Sequence, residues 1–223
     1  ALFGTARSFM WERKYADAVY WFDKLTKDYL STKEGREGLS FKGASYVRMG
    51  KNLEGARTYE QYVTMFPDGE RIESAHLNII DAYREAGEYD EAETWVDRTA
   101  GRFAGAPAET NARHARLRME IFRQAWPEAI AAADSLLSGG SFRGSMTSSD
   151  EVKYLKALAM ERAGKKTEAA AIYSSISDPS YFGGLWSDKQ HSAGIRPTAS
   201  VSSTRAADFP VPFRADLVRE AKK

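Results

Sequence analysis

The sequence predicts an all-α protein, a superhelix of stacked helix pairs, and three observations carry that prediction. A short phrase closing on alanine recurs five times: Tyr15-Ala16-Asp17-Ala18, Leu53-Glu54-Gly55-Ala56, Tyr89-Asp90-Glu91-Ala92, Trp126-Pro127-Glu128-Ala129 and Thr167-Glu168-Ala169. The closing alanines stand 38, 36, 37 and 40 residues apart, a length that holds two helices and two turns. Around each phrase the apolar residues keep helical spacing, and no stretch alternates long enough to build a sheet.

Each element follows from that frame. In the first pair the second helix carries Ala18, Phe22 and Leu25 on one face. The second pair turns at Gly50 and carries one residue more than the others between that glycine and its anchor, Ala56. In the third, Ala75, Ile79, Ala82 and Tyr83 line the first helix, and Gly87 ends it where a left-handed residue is needed. The fourth lacks the turn glycine, and its second helix bears Ala129, Ala133 and Leu136. Ser138-Gly139-Gly140-Ser141-Phe142-Arg143-Gly144 then reads as a flexible link: it has neither the spacing of a dinucleotide loop nor the ending of a phosphate loop, and no strand precedes it. The fifth turns at Gly164 and continues through Ala169, Tyr173 and Ile176. The small anchor lets the two helices of a pair cross closely, while the larger residue three positions earlier fills the space above it.

Composition removes several function classes. The chain has 223 residues, 43% of them hydrophobic and 28% charged, enough for a folded core. Its 32 basic and 31 acidic residues leave a net charge of +1, with no field to attract nucleic acid. Without cysteine there is no disulfide, thiolate metal site or cysteine nucleophile. His76, His114 and His191 are too far apart for a local metal motif, so neither metal nor cofactor is expected. His76 and His114 read as packing or surface residues and His191 as a loop residue. No apolar run approaches the roughly 20 residues of a membrane helix, and Arg7 interrupts the start too early for a signal sequence.

Gly87-Glu88-Tyr89-Asp90-Glu91-Ala92 with Tyr83 before it, and Gly43, Tyr46, Gly50 and Ala56, resemble the tetratricopeptide repeat. The resemblance implies a right-handed α-solenoid of tetratricopeptide-like helix pairs over residues 1–176. The periods exceed the family's usual one, and its turn proline survives as Pro67 and at Pro179.

Beyond residue 176 the pattern changes. Ser180-Tyr181-Phe182-Gly183-Gly184-Leu185 opens a closing segment (177–196), a Pro/Ser-rich connector (197–213) ends in Phe209-Pro210-Val211-Pro212-Phe213, and a helix starts at 214–223 with Leu217-Val218-Arg219-Glu220-Ala221. In this order the phrases resemble the soluble lytic transglycosylases of the bacterial periplasm, whose superhelix precedes a lysozyme-like catalytic domain. That resemblance implies a parent enzyme, a lyase that cleaves peptidoglycan glycan strands to 1,6-anhydromuramoyl products. It also implies a truncated catalytic domain from about Arg214, with the acidic catalyst downstream and no catalytic residue in this chain.

The sequence leaves two principal readings for the repeats. One is the scaffold of such a transglycosylase, with glycan strands or cell-envelope proteins as partners. The other is a non-enzymatic adaptor that holds envelope or assembly proteins in its concave groove; a cytosolic regulatory repeat protein is a third, which leaves the Pro-Val-Pro connector unexplained. The first helix of each pair lines the concave side of such a stack. Arg48, Asp81, Arg84 and Glu85, on the outward turns of those helices, are the candidate groove contacts. The aromatic residues, 12% of the chain, invite a sugar-binding reading, but at helical packing positions most of them fill the space between pairs.

Overall fold

The computed structural model describes residues 1–176 together with Phe182, Gly184 and Leu185. Apart from Phe182, Gly184 and Leu185, the segments expected at 177–196, 197–213 and 214–223 lie outside the described residues, and so do Pro179 and His191. Ten helices and no strand occur among the described residues, all ten within one compact unit, Ala1–Ser177. They run α1 (Leu2–Trp11), α2 (Tyr15–Tyr29), α3 (Lys33–Arg48), α4 (Asn52–Met65), α5 (Ile72–Ala86), α6 (Tyr89–Arg102), α7 (Pro107–Phe122), α8 (Trp126–Gly139), α9 (Ser149–Arg162) and α10 (Lys166–Tyr173).

The turn inside each pair repeats the same hydrogen-bonded device. Arg13, Gly50, Gly87, Gln124 and Gly164 all hold a left-handed backbone, with φ of 60°, 74°, 83°, 59° and 84°. The amide after each of them (Lys14, Lys51, Glu88, Ala125, Lys165) donates to the carbonyl five positions back (Phe9, Tyr46, Tyr83, Glu120, Met160). This is the Schellman closure, which satisfies the carbonyls that the end of a helix leaves open. Gly87 bears the conformation without strain because it has no Cβ. Arg13 and Gln124 bear the same conformation with one.

The turns stand 37 residues apart through Gln124, then 40 to Gly164. That regularity corrects the anchor of the second pair. Five residues after each turn come Ala18, Gly55, Ala92, Ala129 and Ala169, and each of their amides opens its helix on the residue after the turn. Gly55, not Ala56, is therefore the equivalent small residue, and the second pair has no extra residue. A Cβ on Gly55 would sit 2.5 Å from Val47 Cγ2, so the crossing of α3 and α4 closes down to hydrogen. Ala56 is fully buried beside it, as are Ala18, Ala92 and Ala129, with Ala169 only 2% exposed.

The three additional residues of the last interval fall in the loop between α8 and α9. This glycine-rich link is tied to α7 rather than free: Thr110 Oγ1 donates to the Ser141 carbonyl at 2.9 Å, and the Met146 amide donates to Asn111 Oδ1 at 2.8 Å. Ser148 then caps α9 by accepting from the Glu151 amide at 3.1 Å.

Each helix packs on its chain neighbours, and the odd-numbered helices also approach one another, α1 to α3, α5 to α7 and α7 to α9. The odd helices thus form the inner layer of the stack. Its core falls into three clusters: one around Ala18, Phe22 and Leu25, a larger one from Leu39 to Met119, and a third from Leu117 to Ala159.

Candidate functional site

The repeat places side chains as regularly as it places turns. Ten residues after the turn stands an acid, Asp23, Glu60, Asp97 or Asp134. Eight residues before the next turn stands Lys42, Ile79, Arg116 or Lys156. Three junctions between pairs therefore close an ion pair, Asp23 with Lys42, Asp97 with Arg116 at 2.9 Å, and Asp134 with Lys156. At the junction where Ile79 replaces the base, Glu60 accepts instead from Tyr83 Oη at 2.8 Å and from Trp95 Nε1 at 2.9 Å. Burial, followed by the carboxylate of Glu60, pushes the Tyr83 phenol up to about 12. A cavity of about 270 Å³ opens there, lined by Glu60, Tyr83, Asp90, Glu91, Thr94, Trp95 and Arg98.

On the inner layer three of the four candidate contacts come together. Arg84, at the end of α5, lies against Asp81 (3.1 Å) and Glu85 (2.9 Å), so its charge is already met by two carboxylates. Arg84 and Glu85 form one wall of a cleft of about 430 Å³, completed by Ala86, Gly87 and Tyr89, and by Arg118 and Phe122 from α7. Arg48 stands exposed on α3, one repeat earlier, and ion-pairs with none of the other three.

Arg118 and Phe122 do not stand out from the sequence alone, but the 37-residue turn period points to them. Arg118 is the counterpart of Asp81, and Phe122 is the counterpart of Glu85 and Arg48. Phe122 is 74% exposed, and Arg118, one helical turn before it, is exposed with no ion pair among the described residues. An open aromatic ring beside an uncommitted guanidinium offers a partner apolar contact and charge together.

The junction beside this cleft is unusually polar. Glu120, on α7, is buried, with Arg123 Nη1 3.5 Å from its Oε1. The same guanidinium reaches Glu93 at 3.7 Å and lies over the ring of Tyr89 at 5.0 Å. Burial and the neighbouring Glu93 carboxyl push Glu120 up to about 7.

Both described histidines are buried. His76 Nδ1 faces Thr99 Oγ1 at 3.2 Å, and because that hydroxyl donates to the Trp95 carbonyl, the imidazole is the donor of the pair. Its Nε2 has no partner, its ring packs edge-on to Trp95 and Phe103, and desolvation lowers it to about 4. His114 Nε2 lies 3.4 Å from Glu151, outside hydrogen-bonding geometry, and burial outweighs that carboxylate in lowering it. No group of three or more metal-binding side chains occurs among the described residues, and no described helix is long and apolar enough to cross a membrane.

Residues 42–107 match the model of the tetratricopeptide repeat family. Similar solved structures include a chain of nearly identical TPR-like repeats from Podosopora anserina, named for kinesin light chain. It has 15% identity and a TM-score of 0.58, over 78% of this chain and 91% of that one. BtubC (BKLC) from P. vanneervenii matches at 12% identity and a TM-score of 0.60, over 92% and 84%. A tetratricopeptide repeat protein from Parabacteroides merdae matches at 16% and 0.54, over 87% and 72%. No curated protein matches the chain. At these identities the likeness concerns the fold, which is an all-α solenoid of tetratricopeptide-like helix pairs.

Proposed function

We propose that the protein is a binding scaffold, an adaptor without chemistry of its own that holds a segment of another protein along its inner layer. The observation that carries this reading is the cleft between α5 and α7, where exposed Phe122 and uncommitted Arg118 stand opposite the Arg84–Glu85 wall. Tetratricopeptide folds in general bind proteins, which supports the same reading. Arg48, Asp81, Arg84 and Glu85 remain its candidate contacts, now joined by Arg118 and Phe122.

The transglycosylase scaffold, with glycan strands as ligand and the periplasm as location, rests on two short phrases at 180–185 and 209–221. Neither the family match nor the similar structures support it. One experiment separates the two readings. Pull-downs from cell extract and on murein sacculi compare the wild type with Arg118→Ala/Phe122→Ala and with Arg48→Ala/Arg84→Ala. Loss of protein capture in the first double variant is the expected result. Undiminished capture by both variants excludes the cleft, and retention on sacculi alone moves the reading to the transglycosylase scaffold.

A further inference from the structure

Four residues before each of the other left-handed turns the repeat places a large side chain: Phe9, Tyr46, Tyr83 and Met160. In the fourth pair that place is taken by Glu120, whose side chain is only 4% exposed. Charged groups from α6, from α8 and from the end of its own helix bear on its carboxyl. Glu93 reaches it from α6, Arg123 from its own helix and Glu128 from α8. Two carboxyls therefore share one guanidinium, and Arg123 divides itself between Glu120, Glu93 and the ring of Tyr89. Arg123 Nη1 lies 3.5 Å from Glu120 Oε1 and 3.7 Å from Glu93 Oε1, so a single cation holds the two carboxyls close together.

We propose that Glu93 and Glu120 hold a single proton between them, and that this proton latches the third helix pair onto the fourth. With the proton in place the pair is a hydrogen-bonded monoanion that Arg123 balances. When the proton leaves, the buried Glu120 carboxylate faces the half-buried Glu93 carboxylate across the α6–α7 junction with one cation to share. The direction of the shift at Glu120 agrees, since burial and Glu93 raise it to about 7. Tyr89 carries the effect outward, because the ring beneath Arg123 is also a wall of the inner cleft. The latch stands on its own geometry, whether or not that cleft binds a partner.

The linkage has a definite sign. A carboxyl that keeps its proton in the fold up to about pH 7, but loses it near 4.5 when unfolded, stabilises the fold fully below pH 4.5 and loses that contribution as the pH rises to 7. The test is denaturant unfolding of the full chain from pH 4.5 to 8.5 for the wild type, Glu120→Gln and Glu120→Met. Gln keeps the shape and supplies a permanent donor, and Met is what the fifth pair carries at this place. The wild-type unfolding constant, divided by that of Glu120→Gln, is expected to rise by up to about tenfold per pH unit until about pH 7 and then level off. Parallel pH profiles for the two proteins overturn the proposal. If the variants do not fold, carbon-13 NMR titration of the wild-type glutamate carboxyls decides the matter. A Glu120 signal that titrates near neutrality supports the shared proton, and one that titrates near 4.5 overturns it.

Discussion

Arg13 and Gln124 hold, with side chains attached, a backbone conformation that the other three turns give to glycine. A left-handed residue with a Cβ is strained by about 1–2 kcal/mol, and glycine recovers this less the entropy it costs the fold. Gln124→Gly is therefore expected to stabilise the protein by roughly 0.5–1 kcal/mol, and Gly87→Ala to destabilise it by a similar amount. A Cβ on Gly87 meets nothing within 4 Å, so urea midpoints for these variants read the backbone effect alone. His76 gives a second test at this scale. Leu2 and Leu39 hold the corresponding place, eleven residues before their turns, whereas His76 buries a ring nitrogen without a partner. Its imidazole is lowered to about 4, so the stability that depends on its neutrality is complete above pH 6.5 and lost as the pH falls to 4. The loss is at most about 3 kcal/mol. His76→Leu is expected to flatten this acid limb when unfolding is followed between pH 7 and 4.5, and an unchanged slope excludes His76 as its source.

At the scale of the helix pair, closeness of crossing depends on the small residue five places after the turn. Ala92 is fully buried where α6 crosses α5, and Ala92→Leu is expected to destabilise by roughly 1–3 kcal/mol through overpacking. A neutral result in thermal unfolding removes the packing role of the anchor. This level was the most legible in the sequence, because a small residue followed by apolar residues at helical spacing is a local signal. All five second helices begin on the recurring phrase, and Gly50, Gly87 and Gly164 stand at their turns. What escaped the sequence was the exact register. An alanine follows Gly55 directly, so the eye takes Ala56 for the anchor, and two of the turns carry no glycine to correct the count. Arg118 and Phe122 were hidden for the same reason, since only the 37-residue spacing of the turns aligns them with Asp81 and Glu85. The buried carboxyl of Glu120 was beyond reach for another reason: its environment comes from α6 and α8, and a single helix does not announce what its neighbours bring.

For the whole molecule, the cleft and the division of the core set the expected behaviour. Binding that relies on Arg118 acts through an exposed charge, so partner capture is expected to weaken as salt rises and screens such charges over about 10 Å at 0.1 M. Capture that does not change between low and high salt assigns the contact to Phe122 and not to Arg118. The core is not uniform: α1 and α2 share a small cluster around Ala18, Phe22 and Leu25, which meets the second pair through Phe41, stacked on Phe22 at 5.9 Å, and through the Asp23–Lys42 ion pair. The cluster from Leu39 to Met119 instead runs unbroken through the second and third pairs and into α7. It includes the junction where Ile79 replaces the base and Glu60 bonds Tyr83 and Trp95. Solenoid stability is close to a sum of unit and nearest-neighbour terms, so the first pair, with the smaller core and a neighbouring pair on one side only, opens first. Native-state hydrogen exchange is expected to show the amides of α2 near Phe22 opening at lower free energy than those of α5 near Ile79 and Tyr83. Equal protection in the two helices means that the array unfolds as one unit and that the separate apolar clusters do not govern its cooperativity.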